Sequence, residues 1–95
     1  MAEAAPSVAT GDPDMIREHI AECMHLAGFY ATMGVNYASV RDDPGLERSL
    51  QQTVAATRSA VAGLRMLVEA KEHRAAERQA EQDRLRAKFA ERGRP

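Results

Sequence analysis

The chain has 95 residues and a net charge of -1, with two Tyr, two Phe and no Trp. A chain of this length forms one domain at most and buries only a small core, which excludes a multidomain protein. Ala, Leu, Met and Val must supply most of the packing, and this composition favours helix-on-helix contacts over a β-sandwich or a barrel.

The single cysteine, Cys23, excludes an intramolecular disulfide and is typical of a reducing cytoplasm. Residues 1–11 are small, polar and proline-containing, and they lack the charged and apolar regions of a secretion signal. We expect them to form a flexible tail. The longest uncharged stretch, 26–40, is shorter than the roughly 20 residues that cross a bilayer. The sequence therefore predicts a cytoplasmic protein without a membrane span.

The first helix is predicted over about 13–41. Asp12 can accept hydrogen bonds from the free amides at its start, and Pro13 has the backbone angle of a first helical position. Apolar and small residues then alternate at spacings of four and three, which is typical of a bundle helix: Ile16, Ile20, Cys23, Ala27, Tyr30, Gly34 and Tyr37. After Leu26 the apolar face nearly encircles the helix, so we expect a lone hairpin to leave part of it exposed.

Residues 42–45 are predicted to form a tight turn. The residue before Pro44 is disfavoured in the α region, and Asp43-Pro44 is typical of a helix start. So short a connection makes the two helices antiparallel neighbours in a hairpin over 12–70. The second helix is predicted from about 45, and it has its own apolar stripe at helical spacing: Leu46, Leu50, Val54, Thr57, Val61, Leu64 and Val68.

The second helix is predicted to continue as a charged extension over 71–95, because this segment is rich in strong helix formers and in charge pairs at spacing three. Within it, Leu85 and Phe89 return to the side of Leu64 after basic residues have interrupted the apolar stripe. These two residues either contact a partner or are incidental to a solvated helix.

Two patterns on the first helix contain the residue types of a metal site. Glu22-x-x-His25 matches half of a ferritin-like di-iron motif, and Glu18 shares the same face. Ligands at the matching height of the second helix would be Glu69, Glu72 and His73. His19 and Cys23, four residues apart, supply at most two of the four ligands of zinc. Since the Glu18 face lies opposite the apolar seam, we expect it to be solvated unless oligomerisation encloses it.

Charge is distributed unevenly along the chain. Residues 1–47 hold eight acidic and two basic residues, whereas 71–95 hold eight basic and five acidic ones. The basic residues that share one arc of the extension would neutralise nucleic-acid phosphates: Lys71, Arg74, Arg78, Arg84, Lys88 and Arg92. Glu77 and Glu81 lie in the same arc, and among the aromatic residues Phe89 alone is available for stacking. A solvated helix is therefore favoured over a nucleic-acid interface through Arg74, Arg78 and Lys88.

The sequence contains no P-loop, GxGxxG or CxxC motif, and a two-helix hairpin offers no concave catalytic site. We predict an all-α antiparallel hairpin with a long charged helical extension, which pairs into a four-helix bundle. Its predicted function is a non-enzymatic interaction or assembly module without a cofactor, whose partner is a second copy or another helical protein. The predicted contact residues are Ile16, Ile20, Tyr30, Leu50, Val61, Leu64, Leu85 and Phe89. The alternatives are a nucleic-acid-binding accessory protein and a metal-binding bundle.

Overall fold

The computed structural model describes residues 11–93, which form two α-helices, α1 (Pro13–Ser39) and α2 (Asp43–Arg92), and no strand. The predicted all-helical class is confirmed. The molecule is highly extended, with principal dimensions of 84 × 31 × 13 Å. Neither helix, as far as the structure describes it, is apolar over the length needed to cross a membrane. The tail predicted over 1–11 lies, apart from Gly11, outside the described residues, as do residues 94–95 of the extension.

α1 begins with a side-chain cap. Asp12 Oδ1 accepts a hydrogen bond from the Asp14 N–H group at 3.0 Å, and Pro13 is the first helical residue. Arg17 lies one turn further on and forms an ion pair with Asp14 at 3.0 Å. A free amide group at the start of α1 is therefore capped, and an acidic side chain lies at the positive end of the helix dipole, where it stabilises the helix.

α1 ends at Ser39, two residues before the predicted end, because the chain reverses through a Schellman motif. The Arg41 N–H group donates to the Ala38 carbonyl at 3.1 Å, and the Asp42 N–H group donates to the Tyr37 carbonyl at 2.9 Å. These two bonds define the motif, whose central residue adopts the left-handed conformation. Here that residue is Arg41, with φ of 61°.

α2 begins at Asp43, ahead of the predicted residue 45. Asp42 caps the helix, since its Oδ1 atom accepts a hydrogen bond from the Gly45 N–H group at 3.0 Å. Gly45 is buried, and a Cβ atom at this position would lie 2.5 Å from Tyr37 Cδ1. The absence of a side chain at Gly45 therefore lets α2 pack against α1 immediately after the turn.

Arg41→Gly is expected to raise the free energy of unfolding by about 1 kcal/mol, because glycine enters the left-handed region without the strain that a Cβ atom causes. Urea denaturation of the variant and the native chain measures the change. Arg41→Ala retains the Cβ atom and removes the guanidinium group, so its stability should stay within about 0.5 kcal/mol of the native value. An equal gain from both variants would contradict the backbone explanation.

α1 packs antiparallel on the first part of α2 through a stripe of mostly small residues, termed the small stripe. These α2 residues are buried or half-buried and recur at spacings of four and three: Ser49, Thr53, Ala56, Ala60, Gly63, Leu67 and Ala70. At Gly63 an added Cβ atom would lie 2.7 Å from Ile20 Cγ1, so the two helices are in direct contact there. Among the described residues, Ile16 is the one large side chain that is almost fully buried, at 1% exposure. The core of the hairpin is therefore thin.

α2 projects beyond the start of α1. Pro13 lines the same shallow depression as Ala75 and Arg78, which places the N-terminus of α1 at this height of α2. The remaining part of α2, up to Arg92, is about 20 Å long at 1.5 Å per residue. Every residue of this free part is exposed. Side chains of this free part interact with each other along the helix: Arg84 forms an ion pair with Glu81, and Gln79 forms a hydrogen bond with Asp83.

Candidate interaction surface

One face of the hairpin exposes an apolar surface to which both helices contribute, termed the apolar groove. On α2, its wall consists of large residues that directly follow members of the small stripe in sequence: Leu50, Val54, Val61, Leu64 and Val68. On α1, the opposite wall consists of Ile20, Met24, Ala27, Ala31, Val35 and Ala38. Two depressions lie along the groove, one of ≈ 270 Å³ beside Leu50 and one of ≈ 400 Å³ beside Val61.

Three of the predicted contact residues, Leu50, Val61 and Leu64, lie in the α2 wall of this groove. Their side chains are 61%, 44% and 53% exposed, so they contribute little to the packing of α1 on α2. Exposed aliphatic residues are ordinary when they are scattered singly, but these form one row at helical spacing. Their role in contacts between molecules stays a prediction, and the structure leaves them accessible for it.

The predicted contact residues of α1 divide between the core and the groove. Ile16 is buried inside the hairpin and therefore stabilises the fold. Ile20 is half-buried, lies against the backbone of Gly63 and also lines the groove. Tyr30 is half-buried at the other end of the groove, and its ring makes an edge-on contact with Phe29 at a centroid distance of 5.7 Å. Of the three, Ile20 and Tyr30 are accessible to a second molecule.

Leu85 and Phe89 lie on the free part of α2 and are 45% and 65% exposed. Leu85 follows Leu64 by three heptads, and Phe89 follows Val68 by three heptads. In a supercoiled helix, residues separated by whole heptads stay on the same side. In such a helix both side chains continue the α2 wall of the groove beyond the point where α1 begins, whereas in a straight helix three heptads rotate them by about 60° from it.

The groove runs along one face of the hairpin. The 27 residues of α1 set a length of about 40 Å, and two adjacent helices are about 20 Å wide, so this face measures roughly 800 Å² in projection, polar side chains included. Large apolar residues that form a contiguous row, rather than scattered single ones, are typical of interaction sites.

Reasoning from the sequence missed the small stripe as the surface on which α1 packs. The sequence pattern gives most weight to large apolar residues, and the row from Leu50 to Val68 has the stronger signal. The row of Ser49, Ala56, Gly63 and Ala70, one small residue in every heptad, was the available signal, because such residues let two helix backbones approach closely. Identifying this row as the packing surface would have predicted that the row of large residues stays exposed.

The candidate metal ligands of α1 are exposed. Glu18, Glu22 and His25 lie on solvent-accessible parts of the helix. Within residues 11–93, no three His, Cys, Asp or Glu side chains are close enough to hold a metal ion, so the structure does not gather Glu69, Glu72 and His73 with them. His19 Nε2 and Cys23 Sγ are 3.7 Å apart, and Cys23 is buried in the helix seam. That pair offers two ligands and no more.

The candidate nucleic-acid contacts are brought together only in part. Arg74 and Arg78 line a depression of ≈ 470 Å³ at the start of α1, together with Lys71 and Arg17. Asp14 lines the same depression and pairs with Arg17, which lowers the local positive charge. Lys88 lies ten residues beyond Arg78, about 15 Å further along the helix. A nucleic-acid interface stays a prediction, and two of its three residues lie close together.

Comparison with known protein families, curated proteins and solved structures finds no match for this chain.

Proposed function

We propose that the protein is a non-enzymatic assembly module whose apolar groove binds helices of a partner to complete a helical bundle. The observation that carries this proposal is the exposure, on one face, of large aliphatic side chains from both helices. Fully burying one such side chain stabilises a protein by about 1.5–3 kcal/mol, so covering residues that are half-exposed contributes on the order of 1 kcal/mol each. A row of them supplies a substantial part of an association free energy.

The shape of the groove favours a helical partner. Two adjacent helices leave between them a channel that fits the side chains of a third helix. The walls repeat at spacings of four and three residues once Thr57, between Val54 and Val61, is included, and the same spacing on a partner helix places its side chains into the gaps between them. A second hairpin offers two such helices at once, so the assembly we propose is a four-helix bundle.

The proposal predicts that the purified chain associates. Native mass spectrometry and light scattering of the full chain are expected to show a dimer whose population falls on dilution, as mass action requires. A monomer that persists to the highest soluble concentration would contradict association between copies of this chain. A heterologous helical partner would then have to be retained on purification for the module to stand.

A further inference from the structure

We infer that the groove is occupied by α2 of a second copy, parallel to the first α2, and that the two α2 helices continue past both hairpins as a two-stranded coiled coil. This inference rests on the proposed function, since it names the partner and its orientation. Three separate observations support it: the residue types along the α2 wall, the size difference between the two walls, and the position of Leu85 and Phe89.

The α2 wall has the sequence pattern of a parallel two-stranded coiled coil. Valines recur at one of the two core positions of the heptad, at Val54, Val61 and Val68. Leucines occupy the other, at Leu50 and Leu64, with Thr57 at the same position between them. A β-branched residue at the first position with leucine at the second favours two parallel strands over trimers or tetramers. The exposed wall of each copy is therefore suited to the same wall of a second copy.

The two walls of the groove differ in side-chain size. The α1 wall combines three alanines, Ala27, Ala31 and Ala38, with three large residues, whereas every residue named in the α2 wall is a valine or a leucine. A two-fold axis parallel to the helices places α2 of one copy over the groove of the other, where its large side chains contact both α2 and the α1 wall with its three alanines. A perpendicular axis would place α2 on α2 and α1 on α1, with large residues opposed in one half and small ones in the other. Interfaces that interdigitate large with small residues pack more densely, which favours the parallel axis.

The position of Leu85 and Phe89 on the free part of α2 also favours the parallel axis. Under the parallel axis both extensions leave the bundle at the same end, where Leu85 and Phe89 meet their counterparts in the second copy. Glu81 and Arg86 occupy flanking positions that face each other across a parallel coiled coil, and their charges are opposite. Under the perpendicular axis the extensions lie at opposite ends, and both apolar residues stay exposed.

Two charged residues interrupt the coiled coil. Lys71 and Arg78 occupy the leucine-type core position between the hairpin and Leu85. In a parallel pair each meets a like charge, which costs stability, although their side chains are long enough to extend toward solvent. We therefore place the contacts between copies in two blocks, 50–68 and 82–89.

The area agrees with a stable dimer. The hairpin face, roughly 800 Å² in projection on each copy, is wide enough for an interface of about 1,600 Å² in total, the standard size of a specific protein interface. The block at 82–89 adds to this area without a contribution from α1. An interface of this size needs no further partner to be specific.

Distances between spin labels test the orientation. A single label at residue 87, introduced as Ala87→Cys in a Cys23→Ala background, lies on the exposed side of the extension. In the parallel dimer the two labels are expected about 20–35 Å apart, since adjacent helices lie 8–10 Å apart and the labels add their own length. In the opposed dimer each label lies about 45 Å from the centre of the groove, so the separation is about 90 Å.

The possible outcomes are distinct. A separation of about 20–35 Å supports the parallel dimer. A dimer with a far longer separation overturns this inference and leaves the proposed function intact. A sample without an interaction between labels, confirmed as monomer by light scattering of the unlabelled native chain, overturns this inference together with any association between copies, and leaves the proposed function dependent on a heterologous helical partner.

A second variant avoids the cysteine substitutions. Leu85→Ser with Phe89→Ser is expected to weaken the dimer at least tenfold, whereas the matched change of Ala87 and Ala90 to serine, on the same stretch of helix, should leave it within about threefold. Sedimentation equilibrium measures both. Equal dissociation constants for the two double variants would overturn the contact between the extensions.

Discussion

Gly63→Ala is expected to lower the free energy of unfolding by about 1–3 kcal/mol relative to the same substitution at Gly28. A Cβ atom at Gly63 would lie 2.7 Å from Ile20 Cγ1 and 3.4 Å from His19 Cδ2, so the Ile20 side chain or the helix that holds it would have to shift. At Gly28 an added Cβ atom meets nothing within 4 Å. Since both glycines lie inside a helix, the gain in helix propensity of about 1 kcal/mol is common to both variants and cancels in the comparison.

Urea denaturation at one protein concentration measures this difference directly. Gly28→Ala alone should stabilise the chain, because alanine loses less backbone entropy on folding than glycine does. Gly63→Ala should lose that gain and more. If the two variants had the same stability, the close approach of α1 to the small stripe would be wrong, and the apolar groove would lose its definition as a surface left free by the hairpin.

Val61→Arg is expected to convert the dimer into a monomer. The valine is 44% exposed in the single chain and lies at the middle of the α2 wall, so arginine is tolerated in the isolated hairpin. At a covered interface the same guanidinium group would be buried without a partner, which costs several kcal/mol. In a symmetric dimer the substitution occurs twice, and a loss of about 1.4 kcal/mol already weakens binding tenfold.

Ala62→Arg is the matched control, because residue 62 is the next along the helix and lies away from the groove, on the exposed side. It introduces the same charge and is expected to leave the dimer intact. Sedimentation velocity separates the two species, and circular dichroism verifies that both variants stay helical. Equal effects of the two substitutions would indicate that charge in general, rather than the groove, controls association.

The sequence predicts the helices of this protein well, since their ends depend on local chemistry. Asp12 and Pro13 mark the start of α1, and Asp42 caps α2 with Pro44 in its first turn. The small errors lie at the turn, where Arg41 adopts a conformation that usually requires glycine. Nothing in the residue type of Arg41 signals a left-handed backbone, so the Schellman motif and the early end of α1 could not be predicted there.

The candidate surface is harder to predict than the helices, because it depends on which of two neighbouring stripes of α2 packs against α1. The stripes of α2 differ by one residue in phase, as Ala60 beside Val61 and Gly63 beside Leu64 illustrate. Both stripes have the same helical periodicity, so periodicity does not distinguish them, and a prediction from the sequence favours the stripe with the larger apolar residues. Which stripe packs against α1 is determined by how closely the two helix backbones approach each other. That distance is a property of the pair of helices rather than of either sequence segment.

The thin core has a consequence for the life of the protein in a cell. With Ile16 as the one large, almost fully buried side chain in residues 11–93, a solitary hairpin has little intrinsic stability. If copies bind each other, mass action then ties the folded fraction to abundance: the melting temperature rises with concentration, and unpaired chains, which are folded but less stable, open more often and are then cleaved by proteases. The amount of folded protein in the cell would then follow the number of partner molecules available to it.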